Sequence, residues 1–401
     1  MECSTPMGLW RPPLYVILVF YALLIVSFIG FPCTNAETAS PPPSFIKLGI
    51  GASLTGPNAA LGERLKVGAL QAIEDINARG GILGRRIDVV VGDDGGDPKQ
   101  AIIVANQFIT QGIHFVIGHN TSGTSIPVSE VYADSDVLQI TPTSTNPKYT
   151  DRGLWNTIRV IGRDDQQGRI AGHYIAQHFK GKKIALVHDK TPYGKGLVDE
   201  LRKILLEEHI KPAFYEGINP GEKDYSALVS RLKVAGVDLV YCGSFLVECG
   251  LIRRQMYDHD LHAVLMAGDI CASEEFGAIA GPAILGTLLT APPDPQNNPY
   301  AQDVVATFKR HGIESESATL YAYAAVQVLK EAIESAHSLD AMVISETIRS
   351  GMPFKTVLGP ISFDKKGDIK GDHFAVYRWI QTPQGGYKYE EIKDASKGVT
   401  F

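Results

Sequence analysis

The chain has 401 residues, of which 20% are charged, and 44 acidic against 38 basic side chains leave it at −6 near neutral pH. With that balance and no run of Lys or Arg, the sequence has no footprint for a polyanion, so nucleic acid is excluded as an expected partner. The length gives room for two ordinary domains, and five cysteines are too few for a disulfide-built scaffold.

The first segment reads as an export signal. Arg11 precedes an uncharged run from Leu14 to Phe31, and Thr34-Asn35-Ala36 supplies small residues where a signal peptidase cuts. Residues 1–36 are therefore expected to be a signal peptide, which sends the mature chain to an oxidising compartment. Gly30-Phe31-Pro32 before Cys33 does not suit lipidation. Beyond the signal three cysteines remain, Cys242, Cys249 and Cys271. An odd number allows one internal bridge at most, its pairing is not fixed by spacing, and no structural disulfide is expected.

From there the chain alternates short apolar runs with amphipathic helices. FIKLGIGA (45–52) reads as a strand; between Pro57 and Arg79, Leu65, Ala69, Ala72, Ile73 and Ile76 recur at helical spacing, and Gly80-Gly81 closes the helix. The pattern repeats with IDVVVGD and a helix from Pro98, HFVIGH and a helix after Ser122, then VLQIT. A second series starts near Arg163: helix, KIALVHD, helix, PAFYEG, helix, DLVYCG, helix, AVLMAGD. Strands separated by helices in this way predict an α/β protein with parallel sheets and helical crossovers. APPDPQNNP (291–299) is the one loose linker.

Ligands of such sheets bind in the crevice beyond the carboxyl ends of the strands. Those ends carry neutral donors and no catalytic pair. GASLTG after the first strand fits neither the dinucleotide nor the Walker pattern, and no GxSxG elbow or HExxH helix occurs. Asp93-Asp94-Gly95-Gly96-Asp97-Pro98 lacks the spaced ligands of a calcium loop and reads as a helix cap, with Asp97 before Pro98. Tyr257-Asp258-His259-Asp260-Leu261-His262 reads as a surface turn. No metal or cofactor is expected.

Two strand ends are rich in hydroxyls, VIGHNTSGTS (116–125) and LQITPTST (138–145). Ser122 stands where a side chain and the first free amides of a helix converge on an anion such as a carboxylate; as a lone residue it would equally serve as an N-cap. Thr145 belongs to the second hydroxyl-rich end. Asp269, after VLMAG in the other half, adds a negative charge. Receptors for a carboxylate and for an ammonium together describe a site for a free amino acid.

From Phe45 to about Trp379 the chain resembles the branched-chain amino acid (leucine/isoleucine/valine) binding proteins of bacterial ABC transporters. The matching stretches include EDINARGGILG, DDGGDPKQA, ANQFITQGIHFVIGH, ITPTSTNP, RDDQQG, ALVHDKTPYGKG, GEKDYSALVSRLK and FDKKGDIKG. The resemblance implies a type I periplasmic binding protein, two Rossmann-like lobes with parallel sheets joined by three crossovers. Lobe 1 would comprise 45–162 with 293–373, and lobe 2 would comprise 163–292 with 374–401. It places carboxylate and ammonium contacts on Ser122, Thr143 and Thr145, a cleft tyrosine at Tyr193, and the ammonium's acidic partner at Asp269. At the side-chain pocket the chain departs from the family: Leu61 stands where a ring is common, Ala318 falls near a position where the family can carry Phe, and Phe245 replaces a Tyr. Gly96 and Thr121 occupy positions of a cysteine pair found in some members, and Thr121 also falls in the ligand site. The implied protein is a periplasmic monomer, not an enzyme, that hands an apolar amino acid to a membrane permease. A same-fold receptor for an aromatic carboxylate or an amide is the alternative, and Asp269 argues against an amine-free ligand.

Overall fold

The computed structural model describes Met1 and residues 45–393; the expected signal peptide lies outside the described residues. Two β-sheets dominate. The first contains β1 (Phe45–Ala52), β2 (Arg86–Asp93), β3 (Phe115–Gly118), β4 (Leu138–Thr141) and β5 (Thr157–Arg159), all parallel, in the order β2-β1-β3-β4-β5. The second contains β6 (Ile184–His188), β7 (Phe214–Gly217), β8 (Leu239–Gly243), β9 (Val264–Ala267) and β10 (Leu288–Ala291). They lie in the order β7-β6-β8-β9-β10, again parallel. Strands buried on both faces read as continuous apolar runs, which is why FVIG and VLMA are wholly inside.

The C-terminal part adds what the alternation did not predict. β11 (Phe354–Thr356) and β12 (Gly359–Ile361) form a small antiparallel pair, and β13 (Ala375–Gln381) and β14 (Tyr387–Glu391) extend the second sheet antiparallel past β10. The chain crosses between the layers three times: after β5, after β10, and between β12 and β13. The linker 291–299 is less loose than its composition suggests, because Asp294 and Asn298 each cap a single 3₁₀ turn.

Each sheet carries its own core. Leu48 and Ile50 of β1 are fully buried, with helix Ala59–Ala78 packed over β1 and helix Ser317–Ala336 packed against that helix and over β3 and β4. These helices cross so closely at Gly68 that a Cβ there would lie 2.0 Å from the Thr319 carbonyl oxygen, so the crossing requires glycine. In the second layer Val240, Leu265 and Leu289 are fully buried against one face. Among the described residues no helix is long and apolar enough to cross a membrane.

The absence of a disulfide was the wrong expectation. Cys242 of β8 and Cys249 are bonded, with Cα atoms 5.9 Å apart, because helix Leu246–Asp258 turns back over the end of the strand that precedes it. Cys271 is free and buried. The aspartate loop behaves as a cap: Asp97 accepts the amides of Lys99 and Gln100. Asp93 and Asp94 are engaged by the chain itself. Asp94 meets buried His119 at 2.6 Å and Ser53 Oγ at 2.7 Å.

Candidate functional site

Both sheets have a switch point, where neighbouring strands send their connections to opposite faces, and a crevice opens at each. In the first sheet it lies between β1 and β3. In the second it lies between β6 and β8. The residues just past these strands line a single cleft. Leu61, Thr121, Ser122, Thr143 and Ala318 form one wall, and Tyr193, Phe245 and Asp269 the other. Near the base the walls touch, Asn146 Nδ2 donating to the Pro192 carbonyl at 2.5 Å. At the rim Arg64 pairs with Glu275 at 3.1 Å and with Glu316 at 2.8 Å.

The first wall has a directional polarity. Thr121 caps helix Ser122–Ala133, its Oγ1 accepting the Thr124 amide. Ser122 is thus the first helical residue and not the cap, and its amide and that of Gly123 have no intrahelical acceptor. Ser122 Oγ accepts the Asn146 amide at 3.3 Å, which leaves its own proton to donate. Asn120 adds a second donor: its Oδ1 takes the Ser53 amide at 2.7 Å, while the buried Nδ2 has no partner among the described residues. Thr143 is the reverse case. It spends its proton on the Asn120 carbonyl at 2.8 Å, so toward the cleft it can only accept.

The second wall carries the charge. Asp269 starts a 3₁₀ turn after β9. Its Oδ1 accepts from Gln167 Nε2 and from the Tyr193 hydroxyl, both at 3.1 Å, and its amide donates to Gln167 Oε1 at 3.2 Å. Burial pushes the Asp269 carboxyl above the ordinary range, and these hydrogen bonds pull part of that back. Gln167 is held in turn by Thr290 Oγ1 at 2.8 Å and reaches Asp164 at 3.2 Å. Asp164 is fully buried, and burial followed by the nearby Asp269 charge makes it hold its proton tightly. The Tyr193 and Phe245 rings pack at 5.4 Å between centroids.

Thr145 is not brought to the cleft surface. It is buried behind the wall, its hydroxyl without a hydrogen-bond partner among the described residues, because the turn after Thr141 directs residue 143 outward and residue 145 inward. The other candidates meet at the cleft. Sequence reasoning missed Gln167, whose signal was the RDDQQG stretch, and gave no role to Asn120, which opens the strand-end run of VIGHNTSGTS. It also missed Arg159, which braces the Thr143 loop: fully buried, it donates to the carbonyls of Ser144 at 3.1 Å and Asn146 at 2.8 Å.

Two crevice-bearing sheets, crossed three times by the chain and sharing one cleft, define a two-lobed receptor. The model of the family described as periplasmic binding protein matches residues 46–384, and the chain belongs to that family. Within it the chain falls in the Leu/Ile/Val-binding group. It is 51% identical over 344 residues to Leu/Ile/Val-binding protein homolog 1 of Brucella melitensis, covering 86% of this chain and 93% of that one. It is 40% identical to the Leu/Ile/Val-binding protein BraC3 of Rhizobium johnstonii over 89% of this chain and 96% of that one. Among solved structures, the leucine-binding protein LivK of Thermotoga maritima superposes with a TM-score of 0.77 at 26% identity, covering 86% of this chain and 97% of that one.

Proposed function

We propose that the chain is the periplasmic substrate-binding component of an ABC transporter, capturing a free α-amino acid between its lobes for delivery to a permease. The observation that carries this reading is the sorted polarity of the cleft. Ser122 Oγ, Asn120 Nδ2 and the first helix amides offer donors for a carboxylate, while Thr143 Oγ1 and Asp269 offer only acceptors for an ammonium. Leu61, Phe245 and Ala318 supply apolar walls for a side chain and suit a branched-chain or other apolar amino acid. The names of the relatives agree with this chemistry.

In this reading residues 1–36 are removed on export and the protein works as a monomer, without catalysis. Its lobes, 45–162 with 293–373 and 163–292 with 374–401, close on the ligand because the ligand touches both walls only in the closed form. The permease recognises that form.

A thermal-shift screen across amino acids and small carboxylates tests the proposal. A ligand at about 100 times its dissociation constant adds roughly 2.7 kcal/mol of stability. A rise in Tm with α-amino acids is expected; a rise only with amine-free acids would transfer the protein to another ligand class. Removing the Ser122 hydroxyl in Ser122→Ala is expected to weaken amino acid binding by about 1.5–3 kcal/mol, the range for a hydrogen bond to a charged group. Calorimetry checks this, and the ligand-free variant should lose only about 1 kcal/mol of stability, because the Asn146 amide loses its acceptor while Thr121 still holds the cap.

A further inference from the structure

The cleft does not end at Asp269. β10 lies beside β9 in the second sheet, so the chain leaving it reaches the same edge roughly 4.8 Å farther along, one strand spacing away. There Asp294 lines the cleft, joined by Tyr321 of helix Ser317–Ala336 and Tyr389 of β14. One Asp294 oxygen accepts the Gln296 amide at 3.0 Å. Among the described residues no cation pairs with its carboxylate. Tyr321 is only 7% exposed, lines the cleft, makes no side-chain hydrogen bond among the described residues, and its hydroxyl lies near enough to Asp269 and Asp294 to feel both charges.

Charge separates the possible occupants. The lining residues include three carboxylates, Asp269, Asp294 and Glu316, against one cation, Arg64, and Arg64 is already held by Glu316 and Glu275. A zwitterionic ligand with a hydrocarbon side chain fits the apolar walls but leaves this excess unchanged. A side chain ending in a cation also offsets it. Space is not limiting, because past Asp294 the cleft opens into a second cavity that shares Asp294, Glu316 and Tyr389 as walls and runs on to Tyr377 and Trp379.

We propose that Asp294, with the hydroxyls of Tyr321 and Tyr389, forms a second polar subsite that also takes amino acids whose side chains end in an ammonium or guanidinium group. The proposal rests on the reading that Ser122 and Asp269 hold the α-carboxylate and α-ammonium, and it extends the ligand class beyond apolar amino acids to basic ones.

Lysine and norleucine differ only in the terminal ammonium, so calorimetry with this pair on the full mature chain isolates the subsite. Lysine is expected to bind at least about tenfold tighter than norleucine, the effect of one charge-assisted hydrogen bond. Asp294→Asn retains an oxygen for the Gln296 amide, and it should remove most of that preference while leaving norleucine within about twofold of its parent value. Norleucine binding as tightly as lysine, or Asp294→Asn weakening both alike, overturns the subsite and leaves the amino acid reading standing. Failure of both ligands, together with failure of leucine, overturns the two readings together.

Discussion

Asp368→Ala is expected to destabilise the protein by about 3–5 kcal/mol, the cost of stranding a buried charge. Asp368 Oδ1 accepts from Arg159 Nε at 2.9 Å and Nη2 at 2.7 Å, and Oδ2 accepts from Arg163 Nη1 at 2.7 Å. Arg159 is fully buried and Asp368 nearly so. Without the carboxylate, a guanidinium with no route to water is left against Thr150 and the carbonyls it braces. Urea unfolding at neutral pH measures the loss, and a change below about 1 kcal/mol would mean that water reaches Arg159 in the variant. Acid titration gives an independent check. Burial raises the Asp368 carboxyl, but Arg159 and Arg163 outweigh it and hold the group below the ordinary carboxylate value. Its contribution is therefore fully present above the unfolded-state value of about 3.9 and is lost as pH falls below that toward the folded-state value. The parent should lose stability through this window, and the variant should lose less.

Arg159 also ties this pair to the site, since the loop it braces presents Thr143 to the cleft. The sequence marked both ends of the link, in ITPTSTNP and FDKKGDIKG, without showing that they meet, because the two motifs lie more than two hundred residues apart. What was legible were features carried by single segments. Strands buried on both faces show as apolar runs, the helix cap at Asp97 follows from local geometry while the one expected at Ser122 falls on Thr121, and the hydroxyl-rich ends mark where a crevice must open. What was not legible depended on how segments turn. The direction of the loop after Thr141 decides that Thr143 lines the cleft and Thr145 does not. The reversal after β8 decides that Cys242 and Cys249 meet. Gln167 shares no segment with Asp269, and only the packing of helix Asp164–His178 against β10 brings them together. Side-chain roles also depended on such contacts: Ser122 and Thr143 carry the same functional group, and only their partners make one a donor and the other an acceptor.

That division of roles places the largest effect on binding at Asp269. Asp269→Ala is expected to weaken binding of an α-amino acid by about 2–5 kcal/mol, because the ligand ammonium is then enclosed without a counter-charge. The loss should be selective. The matching 2-keto acid lacks the ammonium, so its weaker affinity should be unchanged or improved by removal of a carboxylate that repels it. Asp269→Asn separates charge from shape, since the amide keeps the volume and can still meet Tyr193 and Gln167 but offers the ammonium only a neutral oxygen. Its affinity for the amino acid should fall between those of the parent and the alanine variant. The pH dependence follows from the same group. Burial raises the Asp269 carboxyl above the ordinary carboxylate value even after the hydrogen bonds from Gln167 and Tyr193 are counted. Since the ammonium needs the ionised form, affinity for the amino acid should be constant near neutral pH and begin to fall, on acidification, before an ordinary carboxylate would titrate. Asp269→Asn should show no such fall. Calorimetry of parent and both variants with the amino acid and the keto acid, repeated at acidic pH, tests all of these outcomes. Equal losses for amino acid and keto acid would assign Asp269 to holding its 3₁₀ turn and remove it from ligand recognition, and with it the argument that the cleft is built for an amine.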